Sequence, residues 1–290
     1  MGGMEASENE RDGPTVLGKA VPMRTLRPRL VLGLLLGGSF AGVWLTHAGG
    51  PFWVRILFWL LVVTAGLLGG GLYWRLVIFD ESGFEECGDR RHVRRRWRRL
   101  EAVAVVGSAL AGTTAVVTGT AGPSFGARVL GVGLVAGLLP WFGVRYAGAD
   151  SALTGPLRSV LLGTVLISLG SFAWIETNTT VLDWAIRAGH LGAVSLWIGG
   201  AGWHNFVVLP TVRSRPDAGD ALRSQARAFR RHLPVVIALV VLTGLYQTDR
   251  LLGLAPSAVL GSRLGHLVGL KLLVLTTLTA MVAATYRRTG

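Results

Sequence analysis

Long apolar runs alternate along the chain with short polar stretches rich in arginine. A helical crossing of a bilayer core takes about 20 apolar residues. Eight runs approach or exceed that length: Leu30–Thr46, Phe52–Phe79, Leu100–Thr118, Ala127–Tyr146, Val160–Ile175, Asp183–Leu209, Leu233–Thr248 and Leu264–Tyr286. None shows the strict apolar–polar alternation of a membrane barrel strand. In lipid every backbone N–H and C=O must be bonded within the chain, which leaves helices as the way across. The pattern predicts an all-α, polytopic membrane protein with eight transmembrane helices. Residues 1–29 are polar and Gly/Pro-rich and read as a disordered cytoplasmic tail, with Met23 an alternative start to Met1. Residues 30–46 lack a small-x-small cleavage site before the next run and read as a retained helix, not a signal peptide.

The runs fall into two similar sets. The tetrapeptide GSFA occurs at Gly38–Ala41 and again 132 residues later at Gly170–Ala173. At the same offset Trp97-Arg98-Arg99 matches Phe229-Arg230-Arg231, and Leu110-x-Gly112 matches Leu242-x-Gly244. Gly126-x-Arg128 matches Gly261-x-Arg263 at 135, as one short loop insertion would produce. Four runs per repeat give both repeats the same orientation. The expected architecture is two parallel four-helix repeats, at residues 30–147 and 157–288, about an axis near the membrane normal.

Composition agrees with this picture: 51% of residues are hydrophobic, 16% are charged and the mean hydropathy is +0.51. The net charge of +13 raises the possibility of nucleic acid. The arginines, however, cluster between apolar runs as juxtamembrane anchors do, and no nucleic-acid fold accompanies them. On the expected topology 22 of the 29 Lys and Arg residues lie on one side, which places both termini in the cytoplasm. The basic stretches at 80–99 and 210–232 read as solvated helix extensions that set topology and touch anionic lipid. Cys87 is the only cysteine, so neither an intrachain disulfide nor a CxxC metal site is possible. No GxxxxGK[ST], HExxH or GxSxG is present, so no machinery for nucleotide-driven pumping or hydrolysis is visible and the chain does not read as an enzyme. The GLLGGG run at Gly66–Gly71 lies mid-membrane and reads as helix packing.

Candidate chemistry gathers in the second half. On the sixth run Asp183, His190, Trp197 and His204 follow one another at heptad spacing, which drifts only about 20° per step and so forms one stripe. A rise of 1.5 Å per residue separates His190 from His204 by about 21 Å, too far to share one ion. They mark two depths of one path, with Gly199, Gly200 and Gly202 between them permitting close helix approach. His266 enters the eighth run at a depth like that of His190, and the two rings face one another if those helices touch. Glu176 and His47, at the outer ends of the fifth and first runs, complete a candidate site of imidazole and carboxylate suited to Cu(II) or Zn. Asp183 and Arg187 stand at i, i+4 and are expected to pair. Lys271 lies further into the eighth run and needs a partner or a route to water. The first repeat is a built-in control: Phe58 aligns with His190 and Gly131 with His266, so the bare scaffold does not need these imidazoles.

Three segments carry a family resemblance: HLGAVSLWIGG at His190–Gly200, AFRRHLPVVIALVVLTGLYQ at Ala228–Gln247 and GHLVGLKLLVLTTLTA at Gly265–Ala280. The region 183–288 resembles the copper-resistance protein D (CopD) family. Its members similarly show a His before Trp-x-Gly-Gly, an aromatic-Arg start to the next span and a Gly-x-x-x-x-x-Lys segment in the last. The resemblance implies a multi-pass protein of the prokaryotic inner membrane that moves copper or confers copper resistance, often beside a periplasmic copper-binding partner of the CopC type. It marks His190, Trp197, Gly199, Gly200 and Lys271 as the family-like positions. The chain departs from a soft thioether relay, since Met281 is the only methionine within a run, so histidines should carry any copper. Two other classes remain open: a haem-binding redox protein with His190 and His266 as axial ligands, and a non-transporting membrane partner of a periplasmic copper-binding protein.

Overall fold

A computed structural model describes residues 28–47, 50–79, 90–122, 124–147, 152–177, 180–214, 219–253 and 256–287. Most of the N-terminal tail and Cys87 lie outside the described residues. The described residues are overwhelmingly helical and contain no strand. The helices are α1 (Pro28–Thr46), α2 (Phe52–Tyr73), α3 (Arg90–Val117), α4 (Phe125–Ala136), α5 (Leu138–Ala147), α6 (Thr154–Thr177), α7 (Val181–Trp203), α8 (Leu209–Ser214), α9 (Gly219–Leu252), α10 (Pro256–Gly261) and α11 (Arg263–Arg287). Wide π-turns extend α2 through Trp74–Ile78 and α7 through His204–Val208. The described parts of the basic stretches are helical: α3 begins ten residues and α9 fourteen residues before the apolar runs they carry.

Local chemistry sets the ends. Thr180 caps α7, accepting the Asp183 N–H at 3.1 Å and donating its hydroxyl to the Asp183 carboxylate at 2.8 Å. Ser124 caps α4 through the Ala127 N–H at 3.2 Å. Gly253 ends α9 in the left-handed region at φ 69°, its N–H returning to the Asp249 carbonyl at 2.7 Å, a conformation that favours glycine.

Among the described residues seven stretches, from Arg29–Thr46 to Arg263–Met281, are long and apolar enough to cross a membrane, one fewer than the eight runs read from the sequence. The helix that falls short is α7, because it carries Asp183, Arg187 and His190. It also packs against α1, α2, α6 and α9, and from His190 to Trp203 no residue is exposed, so that stretch need not be uniformly apolar.

Helices α2 and α7 form the most extensively packed pair and run parallel. Gly66 lies against Ser195, Gly70 against Gly199, and the Trp74 ring stacks near Trp203 with centroids 6.3 Å apart. A Cβ on Gly70 would lie 2.0 Å from the Ser195 carbonyl oxygen, and one on Gly199 would lie 2.3 Å from the Gly70 carbonyl carbon. Only glycine lets these two backbones touch. Around this seam the contacts come in corresponding pairs. Trp97 of α3 packs on Trp203 at 5.2 Å, and Phe229 of α9 packs on Trp74 at 4.2 Å. Trp97 fills the space beside Gly71, and Phe229 the space beside Gly200.

Helix α6 packs on α4, α5 and α2 as well as on α7, and α1 packs on α11 and α7 as well as on α2, so both helices bridge residues 30–147 and 157–288. One group, α2–α3–α4–α6, is tightly filled by Ala65, Leu68, Val105, Leu161 and Val165 among others. In the other group, α1–α7–α9–α11, α9 and α11 touch only sparsely.

Candidate functional site

That sparse contact leaves a cavity of about 110 Å³ between α1, α7, α9 and α11. Its floor is apolar, formed by Leu35, Trp197, Val240 and Leu278. Arg187, His190, Thr248 and Lys271 bring polar groups to its wall.

A chain of hydrogen bonds runs beside this polar end. His47, at the end of α1, stacks on Phe58 with centroids 4.4 Å apart and holds Glu176 of α6 through Nε2 at 3.2 Å. The other Glu176 oxygen accepts from Arg187 Nε at 2.6 Å. Arg187 Nη1 donates to Gln247 Oε1 at 2.8 Å, and Gln247 Nε2 donates to the Thr243 carbonyl at 3.0 Å. His190 Nδ1 meets the Thr243 hydroxyl at 2.9 Å. Thr243 donates its hydroxyl proton to the Leu239 carbonyl. That hydroxyl has one proton, so its bond with His190 requires Nδ1–H as donor, an assignment made from the network. The neutral ring then carries its lone pair on Nε2. His190 is buried, at 4% exposure, yet lines the cavity, and the bare Gly244 leaves space beside its Cε1.

Both Glu176 oxygens are thus committed, one to His47 and one to Arg187. Lys271 has no hydrogen bond or ion pair among the described residues; its Nζ lies 3.3 Å from where a Gly42 Cβ would stand. Lys271 remains within electrostatic range of Glu176, Arg187 and His190. With the Glu176–Arg187 pair counted as neutral, the cluster is left with one ammonium and one imidazole. Such a wall can offer a nitrogen lone pair to a metal and an N–H donor to an anion.

The sequence-derived candidates separate into three groups. His47 and Glu176 do meet each other, and Trp197, Lys271 and His190 share the cavity. Gly199 and Gly200 serve the α2–α7 seam and the Phe229 contact rather than the cavity. The pairing of His190 with His266 is not found. His266 is exposed in the first turn of α11, its Nε2 against the Leu260 carbonyl at 3.0 Å, and it does not line the cavity. His204 is half-buried in the π-turn and also lies outside the cavity lining. Among the described residues no three His, Cys, Asp or Glu side chains come together as a metal-holding group. The expected Asp183–Arg187 pair gives way as well. Arg187 reaches across to Glu176 and Gln247, while Asp183 accepts from Tyr246 at 3.0 Å and from Arg250 at 3.2 Å. Thr243 and Gln247 were not among the candidates, although their i, i+4 spacing in an otherwise apolar run puts both on one face.

The sequence matches no family model, and no curated protein or solved structure is significantly similar to it.

Proposed function

We propose that the chain is a copper-handling protein of a prokaryotic cell membrane, with α7 as an eighth crossing, both termini cytoplasmic, and two repeats related by a near-twofold axis along the α2–α7 seam. Copper is its cargo, passing through the cavity of the second half with His190 as the metal-facing side chain. A periplasmic copper-binding protein of the CopC type would deliver to or collect from the outer ends of α1, α6 and α7. The resemblance over residues 183–288 motivates the copper assignment. The observation that carries it to a residue is the placement of His190: a buried imidazole, oriented by Thr243, on the wall of a membrane cavity whose counterpart in the other half is filled.

One imidazole is a weak, transient metal site. That suits passage, which requires a cargo bound well enough to enter and loosely enough to leave. It does not suit storage or bis-histidine haem ligation by His190 and His266, since those rings do not share a cavity. The test is copper uptake into proteoliposomes. Wild-type protein is expected to take up copper, His190→Ala to lose uptake by about tenfold or more, and His266→Ala to match wild type. Unchanged uptake in a folded His190→Ala variant refutes the assignment.

A further inference from the structure

Lys271 poses a problem that the copper reading leaves unsolved. An ammonium has three donors and no acceptor. Within a membrane an unpaired cation is costly, and such groups pair with a counter-charge or face a functional cavity. The nearby carboxylate, Glu176, already has both oxygens occupied. Among the described residues the Lys271 ammonium lies beside Gly42 and has no hydrogen-bond or ion-pair partner.

The rest of the cavity says what kind of counter-charge fits. Leu278 lies seven residues beyond Lys271 on α11, roughly 10 Å further along the helix, and between these levels the wall is aliphatic apart from the Trp197 ring and Ser39, whose hydroxyl is already bonded to the Leu36 carbonyl and the Trp59 indole N–H. A small hydrated anion gains nothing from such a wall. An amphiphile does, with its head at the ammonium and its chain against Val240, Val274 and Leu278. The way in is lateral. Leu245 of α9 and Leu272 of α11 both line the cavity, yet they are 40% and 43% exposed, and these two helices barely touch. The gap between them therefore opens on the surface that faces lipid.

We propose that this cavity binds a single-chain carboxylate of the fatty-acid class from the membrane, with Lys271 donating to its carboxylate and the α9–α11 gap as its entrance. This is independent of copper, because the ligand is recognised by Lys271 and the aliphatic wall without His190 as a metal ligand.

The experiment uses the full chain in detergent, without copper. Dansylaminoundecanoic acid serves as the fluorescent probe, competed by laurate, methyl laurate, acetate and chloride. Laurate is expected to displace the probe far better than acetate or chloride, and on the order of thirtyfold better than methyl laurate, the scale of losing one partner of a buried charge pair. Lys271→Met should lower probe affinity by a similar factor, and Lys271→Arg should largely restore it. The acid–ester comparison is made on wild type, so it decides the matter even if Lys271→Met folds poorly. Equal competition by laurate and methyl laurate overturns the carboxylate assignment. Displacement by chloride or acetate as strong as by laurate overturns the amphiphile assignment in favour of a small-anion site. Wild-type probe binding unchanged in a folded Lys271→Met variant overturns the role of Lys271. None of these outcomes bears on uptake in His190→Ala, so the two readings fail separately.

Discussion

Of the two packing groups, one keeps a cavity with a polar wall and the other is filled. At the offset of 132 residues read from the sequence, Thr243 and Gln247 of α9 align with Ala111 and Ala115 of α3, Arg187 with Arg55, and Glu176 with Trp44. Arg187 meets a carboxylate, at 2.6 Å; Arg55 lies over the Trp44 ring, 4.0 Å from its centroid. Where the second group keeps a cavity of about 110 Å³, the first holds a void of about 10 Å³ beside Leu68, Ser108 and Leu161. The first group packs without the polar chain and without the space. A cavity with a polar wall in lipid is a costly thing to keep without a ligand.

The comparison is broken most severely at Glu176. Glu176→Gln leaves the buried Arg187 without its carboxylate and should cost about 3–5 kcal/mol, read by denaturation in detergent. A loss under about 1 kcal/mol would mean that the network is as weak as a surface pair. The reverse graft tests the filled half. Ala115 is fully buried, so Ala115→Gln places an amide where there is no room and should cost about 1–3 kcal/mol. If that variant were as stable as wild type, the first group would not be closely packed. A gentler probe is Thr243→Val, which keeps the shape and removes the acceptor of His190. It should lower stability by about 1 kcal/mol and reduce copper uptake. Uptake at the wild-type rate would show that ring orientation does not matter. Smallest of all, His266→Ala removes an exposed ring and should leave both melting and uptake unchanged; an effect like that of His190→Ala would restore the two-histidine site.

The helical membrane architecture was legible because lipid permits so little else: apolar runs of crossing length must become helices. Even α7, which lacks the apolarity of the seven membrane-crossing candidates among the described residues, stood out as the chemical helix through His190 and its glycines. Rotation about the helix axis was harder to read. Depth alone suggested that His266 faces His190, but His266 and Lys271 are five residues apart, about 140° around the helix. Once Lys271 faces the cavity, His266 cannot. Arg187 was misassigned for a similar reason, since an i, i+4 neighbour is visible in sequence and a partner on α6 is not. The contacts by which α1 and α6 bridge the two halves were hidden too, because likeness between segments says nothing of which ones touch.

The openness of one half against the closure of the other can be measured at a matched pair. Val240 lines the cavity and Ser108, 132 residues earlier in the sequence, lines the small void. In a Cys87→Ser background, Val240→Cys and Ser108→Cys would each be treated with methyl methanethiosulfonate, which is small, uncharged and able to enter from lipid. Rapid modification of Val240→Cys with protection of Ser108→Cys is the expected result. Equal rates at the two positions, or protection at Val240, would contradict a site confined to the second half.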